Sequence, residues 1–476
     1  MKTILLLSAI LLQSRQIERY GMVITEGADT IAVEQVTRTE TELRSEITVP
    51  NRARVSVVAG LRPGGCVTGA VVEVFPWGSE PDATPLQHVS VQLDGDSLRV
   101  DARARDVVQQ LSRPFPGGEF VLAGDSYAAS AMIVECALSK GDSTELLVAA
   151  FPGLRAQTFL VQRQGNGVTV SGDQTSHVTL GPSGHPLLIE VGGSEIVIRR
   201  VPFQALDAGD TPAPDYSPPP GAPYEAQEVS IPVKESVTLA GTLTLPTGAT
   251  GPLPALAFVS GGGPQDRDSY AAIGGGWRPF RELANALSSR GVAVLRFDDR
   301  GVGASTGDYA SSTEREGFED VKAALAFLRG REDIAARHLA LLGHSEGARI
   351  AMWVAAEDPE VAGLVLMAGA ADPRGAARAQ ALWVVEHSPG EDRRPRDSIL
   401  ALVDRQMDSL ALSGSREVYR WDAPGLAARI KAPVAVFQGA TDRQVPREQA
   451  DSLGTLFRAA GNDDVTIRIF PDVNHL

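Results

Sequence analysis

The stretch Leu341-Leu342-Gly343-His344-Ser345-Glu346-Gly347-Ala348 decides how this chain is read. An apolar run is broken by a Gly-X-Ser-X-Gly pentapeptide, and a segment with helical character follows at once. A serine standing free at the apex of a tight strand-to-helix turn needs glycines beside it, because a Cβ there would strike the neighbouring backbone. Ser345 is therefore the candidate nucleophile. Gly303-Ala304-Ser305-Thr306-Gly307 fits the same pattern. It lies several residues beyond the apolar run 292–297 and leads into more loop, so Ser305 reads as a loop serine.

Outward from Ser345, short apolar runs alternate with helical stretches. Strands are expected at 228–233, 237–245, 254–259, 292–297, 339–343, 363–367, 434–438 and 466–470, and helices at 279–289, 315–328, 348–356 and 448–459. The first two strands can form a hairpin and the rest are linked by helical crossovers, which is the pattern of a mostly parallel eight-stranded sheet covered on both faces. Ser345 closes the fifth of these strands. Residues 374–430 separate the sixth from the seventh and can form a small helical cap, with Ile399, Val403, Met407 and Leu410 on one helical face.

A serine hydroxyl is a weak nucleophile at neutral pH and needs a base, together with a carboxylate that orients the base. Parallel strands bring their C-terminal ends to one edge, so partners are sought after the later strands. Asp442 follows the seventh strand and His475 the eighth, in the order nucleophile, acid, histidine. His88, His177 and His185 belong to the first half, and His338, His344 and His387 do not end a strand after Ser345. Among the rival carboxylates Asp404, Asp463, Asp464 and Asp472, only Asp472 is near a strand end, and it precedes His475 too closely. Two backbone donors are required for a developing oxyanion. Glu346 supplies one, and the loop Ser260-Gly261-Gly262-Gly263-Pro264 the other, with Gly262 chosen over Gly263. The charges of Arg296-Phe297-Asp298-Asp299-Arg300-Gly301-Val302-Gly303 lack the ending of a phosphate loop and are expected to bind one another and brace the turn.

The prolines between Asp207 and Tyr224 mark a linker, 207–224, between an upstream region 15–206 and the catalytic region 225–476. Upstream, hairpins of period-two pattern, such as Val89, Val91 and Leu93 returning through Leu98 and Val100, indicate an antiparallel β sandwich or barrel. This region carries no chemical constellation. Residues 1–14 have the pattern of a short signal peptide, Lys2 before an apolar core too short to span a bilayer, and imply export to a periplasmic or extracellular compartment; the alternative is a cytoplasmic protein. Cys66 and Cys136, the only cysteines, are either one disulfide or two buried thiols. A net charge of −15 with no basic cluster argues against a nucleic-acid partner.

The region from 227 onward resembles bacterial α/β-hydrolases of the carboxylesterase type, related to dienelactone hydrolases and the serine aminopeptidase-like group. The matching motifs are Gly263-Pro264-Gln265-Asp266-Arg267-Asp268, Asp298-Asp299-Arg300-Gly301-Val302-Gly303-Ala304-Ser305, Gly343-His344-Ser345-Glu346-Gly347 and Asn474-His475-Leu476. The resemblance implies hydrolysis of a small-molecule carboxylic ester through Ser345, Asp442 and His475, without metal or organic cofactor. It also implies a last helix beyond His475, whereas the sequence stops at Leu476. A peptidase, a thioesterase and a binding protein on a hydrolase scaffold stay open as alternatives.

Overall fold

The computed structural model describes residues 17–475, apart from 28, 50–52, 77–83, 86, 105–106, 123–125, 151–154, 173–174, 204–214, 235, 270–277, 310, 388–395 and 413–420. The leader expected at 1–14 and much of the expected linker lie outside the described residues.

The upstream half is one antiparallel meander. Its strands are β1 (Glu18–Glu26), β2 (Asp29–Arg38), β3 (Glu42–Val49), β4 (Ala53–Arg62), β5 (Cys66–Pro76), β6 (Gln87–Asp94), β7 (Ser97–Ala104), β8 (Val107–Pro114), β9 (Phe120–Leu122), β10 (Ser143–Ala150), β11 (Arg155–Gln164), β12 (Gly167–Ser171), β13 (Thr175–Leu180), β14 (Pro186–Val191) and β15 (Ile196–Pro202). They form a 15-stranded sheet in the order β8-β7-β6-β5-β4-β3-β2-β1-β15-β14-β13-β12-β11-β10-β9, with only the β9–β10 pair parallel. The hairpin read from Leu93 and Leu98 is the β6–β7 pair, turning through Gly95 in the left-handed region. One feature is missing from the sequence reading: helix α1 (Tyr127–Leu138) packs on β5, β10 and β11 with Ala129, Met132, Val134 and Cys136 buried. Its apolar residues surround the helix instead of lining one face, so no helical period stands out. The two cysteines form a disulfide that ties α1 to the start of β5 across 70 residues.

The downstream half follows the alternation of the sequence. Its strands are β16 (Tyr224–Lys234), β17 (Val237–Pro246), β18 (Leu253–Val259), β19 (Ala293–Phe297), β20 (Ile334–His344), β21 (Gly363–Met367), β22 (Val434–Gly439) and β23 (Val465–Phe470). They lie in the order β16-β17-β19-β18-β20-β21-β22-β23; β16 and β17 form the antiparallel hairpin, β17 meets β19 antiparallel, and every later pair is parallel. The helices are α2 (Pro279–Ser288), α3 (Glu314–Arg329), α4 (Glu346–Glu357), α5 (Pro373–His387), α6 (Arg396–Leu412), α7 (Ala423–Arg429) and α8 (Glu448–Ala459). Most apolar side chains of β18, β20 and β21 are buried or half-buried, with Ala257, Leu341 and Leu366 in the core, which is the reason these strands read as continuous apolar runs.

Helices α5 and α6 lie in the stretch 374–430 where a cap is expected. Arg374 and Arg378 of α5 bind Asp404 of α6, and Ile399 and Met407 are buried. The side chain of Leu410 is outside the described residues. Helix α5 also docks on the loop after β22: Ala376 clusters with Ala370 and Val445, and Trp383 faces the Arg443 guanidinium.

The charges of 296–303 correct the sequence reading. They do not bind one another; each binds a different segment. Arg296 pairs with Asp268, Asp298 takes the guanidinium of Arg267, and Arg300 pairs with Asp320 and Glu316 of α3. A turn this short cannot bury opposite charges against each other and also satisfy their remaining donors, so the partners come from elsewhere.

Candidate active site

The elbow is built from local sterics. β20 ends at His344, α4 begins at Glu346, and Ser345 between them has φ 55° and ψ −115°, a backbone state that costs a non-glycine residue of order 1–3 kcal/mol. The flanking glycines are required by their surroundings. A Cβ on Gly343 would stand 2.2 Å from the Gly347 carbonyl oxygen, and one on Gly347 would stand 2.2 Å from that of Ser260. The strained serine is secured by its amide, which donates to the Met367 carbonyl at 2.9 Å.

His475 lies in the loop after β23 and Asp442 in the loop after β22, both at the C-terminal edge of the sheet that carries Ser345. Ser345 Oγ and His475 Nε2 are 3.0 Å apart, and His475 Nδ1 and Asp442 Oδ2 are 2.8 Å apart. The parallel sheet thus brings together three residues spread over 130 positions. Thr441 laces the two loops, since its amide and its hydroxyl both donate to the Val473 carbonyl.

Asp442 is 2% exposed. Burial alone would push its carboxyl up, but the hydrogen bond and charge of His475, with the amides of Val445 and Gln444 on Oδ1 at 2.8 Å each, outweigh it and hold the carboxyl below its ordinary value. Gln438 Nε2 donates to the same Oδ2 that His475 uses, at 2.8 Å. The carboxylate therefore stays charged, and it keeps the Nδ1 proton on His475, leaving Nε2 free to accept from the serine.

Two residues of this site escaped the sequence reading. His344, inside the pentapeptide itself, has Nε2 2.8 Å from the backbone carbonyl of His475. A carbonyl only accepts, so Nε2 carries the proton and donates. Burial, with the nearby charge of His475, lowers the His344 pKa to about 4, and the ring is neutral at physiological pH. It anchors the backbone of the very residue whose side chain faces Ser345. The second is Asp299, after β19, whose Oδ1 lies 2.5 Å from Ser260 Oγ and whose Oδ2 accepts from the Gln265 amide at 2.9 Å. No sequence period could have indicated either contact, because the partners are 131 and 39 or fewer positions away.

The glycine loop after β18 lies against the elbow. A Cβ on Gly261 would be 3.4 Å from that of Ser345, while one on Gly262 would be 3.1 Å from Glu346 Oε2. The second pentapeptide has a different use: Ser305 Oγ donates to the Asp298 carbonyl and accepts from the Ala240 amide, so this serine is bound into the loop beside β17.

The chain has several likenesses among known proteins. Residues 277–390 match the family model for serine aminopeptidase, S33. Esterase EstD of Thermotoga maritima is 28% identical over 271 residues, 55% of this chain and 62% of that protein. The chain thus spans less than two thirds of that relative, and 28% of an uncharacterized Mycobacterium tuberculosis protein that is 37% identical over 81 residues. Among solved structures, the Pyrococcus furiosus esterase Pf2001 aligns with a TM-score of 0.40 at 19% identity, covering 56% of this chain and 89% of that one. The hydrolase GrgF from Penicillium aligns with a TM-score of 0.37 at 19% identity, covering 53% and 91%. With its strand order, its strand–elbow–helix unit and its matched segment, the second half of the chain has the α/β-hydrolase fold.

Proposed function

We propose that the protein is a serine-dependent carboxylic ester hydrolase working through an acyl-enzyme. The observation that carries this reading is the continuous hydrogen-bond path from Asp442 through His475 to a serine on a strained elbow. Ser345 Oγ attacks the ester carbonyl as its proton passes to His475 Nε2, and the imidazolium is stabilised by Asp442. Collapse of the tetrahedral intermediate breaks the bond to the alcohol, which takes the proton from His475. Water, activated by the same histidine, then hydrolyses the acyl-serine. The negative oxygen in both steps is held by the Glu346 amide and by an amide of the glycine loop, Gly262 in this reading. One such donor is worth about 10²- to 10³-fold in rate.

The likeness to EstD supports an ester over an amide or thioester substrate. The docking of α5 on the Asp442 loop supports a cap that borders the acyl site. Treatment with a fluorophosphonate tests the reading. Wild type is expected to gain one adduct and to hydrolyse a short-chain nitrophenyl ester, and Ser345→Ala to do neither; equal hydrolysis by that variant would sink the proposal. A side-by-side assay of an aminoacyl nitroanilide separates the peptidase alternative, which requires the amide to be the better substrate.

A further inference from the structure

The catalytic scheme makes no use of Asp299, a half-buried carboxyl with no ion-pair partner among the described residues. Its partners are neutral: Ser260 Oγ on Oδ1 at 2.5 Å and the Gln265 amide on Oδ2 at 2.9 Å, while its own amide donates to the Gln265 carbonyl at 3.1 Å. The neighbouring guanidiniums are committed elsewhere, Arg300 to Asp320 and Glu316, and Arg267 to Asp298 and Glu228. Ser260 and Gln265 are the two ends of the glycine loop. Between them, Gly261 faces Ser345, and the Ser260 carbonyl is the atom against which Gly347 is packed. Three consecutive glycines have no side chains with which to hold a fixed course, so their position is set by whatever fastens the ends.

We infer that Asp299 is a positioning residue that clamps both ends of the glycine loop and so fixes the amide facing the oxyanion. This inference rests on the proposed serine mechanism and adds to it the group that preorganises the loop. The chemistry of the clamp also sets its protonation state. Burial pushes the carboxyl up to about 8; the bonds from Ser260 and Gln265 draw it down, and the charges of Asp320 and Asp298 push it up further. Below that value the carboxyl is protonated and the 2.5 Å contact is Oδ1–H donating to Ser260 Oγ; above it Ser260 Oγ donates to the carboxylate, and Oδ2 accepts from Gln265 in both states. Neutrality suits the position. A full negative charge behind a loop whose amides must stabilise a developing oxyanion would oppose that oxyanion, whereas an acid fastens the loop without the charge. The other charged groups around it are ion-paired: Asp298 to Arg267, Asp320 to Arg300, and both Glu314 and Glu346 to Arg349. Asp299 is the carboxyl of this corner without an ion-pair partner among the described residues, and it borders a cavity of about 70 Å³ with room for water.

The test compares Asp299→Ala and Asp299→Asn in the full chain, with kcat and KM for a nitrophenyl ester measured from pH 6 to 10 and folding checked by thermal melting. Asparagine imitates the neutral acid, since its NH2 donates to Ser260 Oγ and its oxygen accepts from Gln265. The alanine variant should lose at least about tenfold in kcat with KM little changed. The asparagine variant should recover most of that loss and lack the fall in kcat expected of wild type as pH rises through 8. A folded alanine variant with kcat within twofold of wild type, or an asparagine variant with the wild-type alkaline fall, would overturn the inference. Should the alanine variant fail to fold, Ser260→Ala removes one end of the clamp alone; it is expected to lower kcat several-fold at unchanged KM, and no change there overturns the inference equally. Failure of the underlying mechanism shows itself separately, as hydrolysis that persists in Ser345→Ala.

Discussion

At the scale of single residues, the site depends on groups that never touch substrate. His344 donates to the carbonyl of His475, so it holds the backbone of the residue proposed as the base. Replacement by Phe keeps a ring of similar size and removes the donor. The expected result is a loss of kcat, up to the order of 10²-fold, with KM preserved, since misplacement of a catalytic group acts on the chemical step. The same variant has a pH signature. The folded pKa of His344, about 4, is below the unfolded value of 6.5. The unfolded chain thus takes up a proton that the folded chain refuses, and the stability present above pH 6.5 is lost as pH falls from 6.5 towards 4. Melting temperatures across that window should fall less steeply for His344→Phe than for wild type; parallel curves would contradict the assignment.

At the scale of elements, the upstream half shows how a buried helix terminus is satisfied. Helix α1 starts from Ser126, whose Oγ caps the Ala129 amide and donates to the fully buried Glu34 of β2, and Glu34 in turn accepts from the Ala128 amide. Burial pushes the Glu34 carboxyl up against the opposing pull of Ser126, Ser45 and the helix amides. An acid raised above its unfolded pKa gives stability that is full below that unfolded value, near 4.5, and is lost as pH rises through the folded value. Glu34→Gln keeps one donor and one acceptor and cannot ionise. It is expected to raise the melting temperature at pH 8 while differing little from wild type at pH 4; a variant less stable at pH 8 would show that the carboxylate is the form the fold requires.

At the scale of the whole molecule, the Cys66–Cys136 bond closes a 70-residue loop and fastens the one helix described in the upstream half to its sheet. In the chain-entropy account a loop of that length is worth about 4 kcal/mol. Denaturant unfolding of the Cys66→Ala, Cys136→Ala double variant should show a loss of that order in the upstream transition, with ester hydrolysis retained if the two halves unfold independently. Such a bond persists in oxidising compartments, and with the leader-like pattern at 1–14 it supports the proposal that the protein is exported. Mass spectrometry of alkylated, unreduced protein isolated from its host checks this: two alkylated thiols would contradict it.

The sequence by itself determined what local sterics and periodicity control. Gly343 and Gly347 mark the elbow because neighbouring backbone leaves no room for a Cβ; the period-two and helical runs name the sheet and its crossovers; and parallel strand order points to Asp442 and His475 as the residues that meet Ser345. Only the tertiary structure decided the rest, because it rests on contacts between segments that no local pattern links. The pairing of Cys66 with Cys136, the partners of Arg296, Asp298 and Arg300, the hold of His344 on His475 and the clamp of Asp299 all join positions whose separation along the chain is arbitrary. Helix α1 belongs with them, since a helix buried on every side has no amphipathic period for a sequence to display.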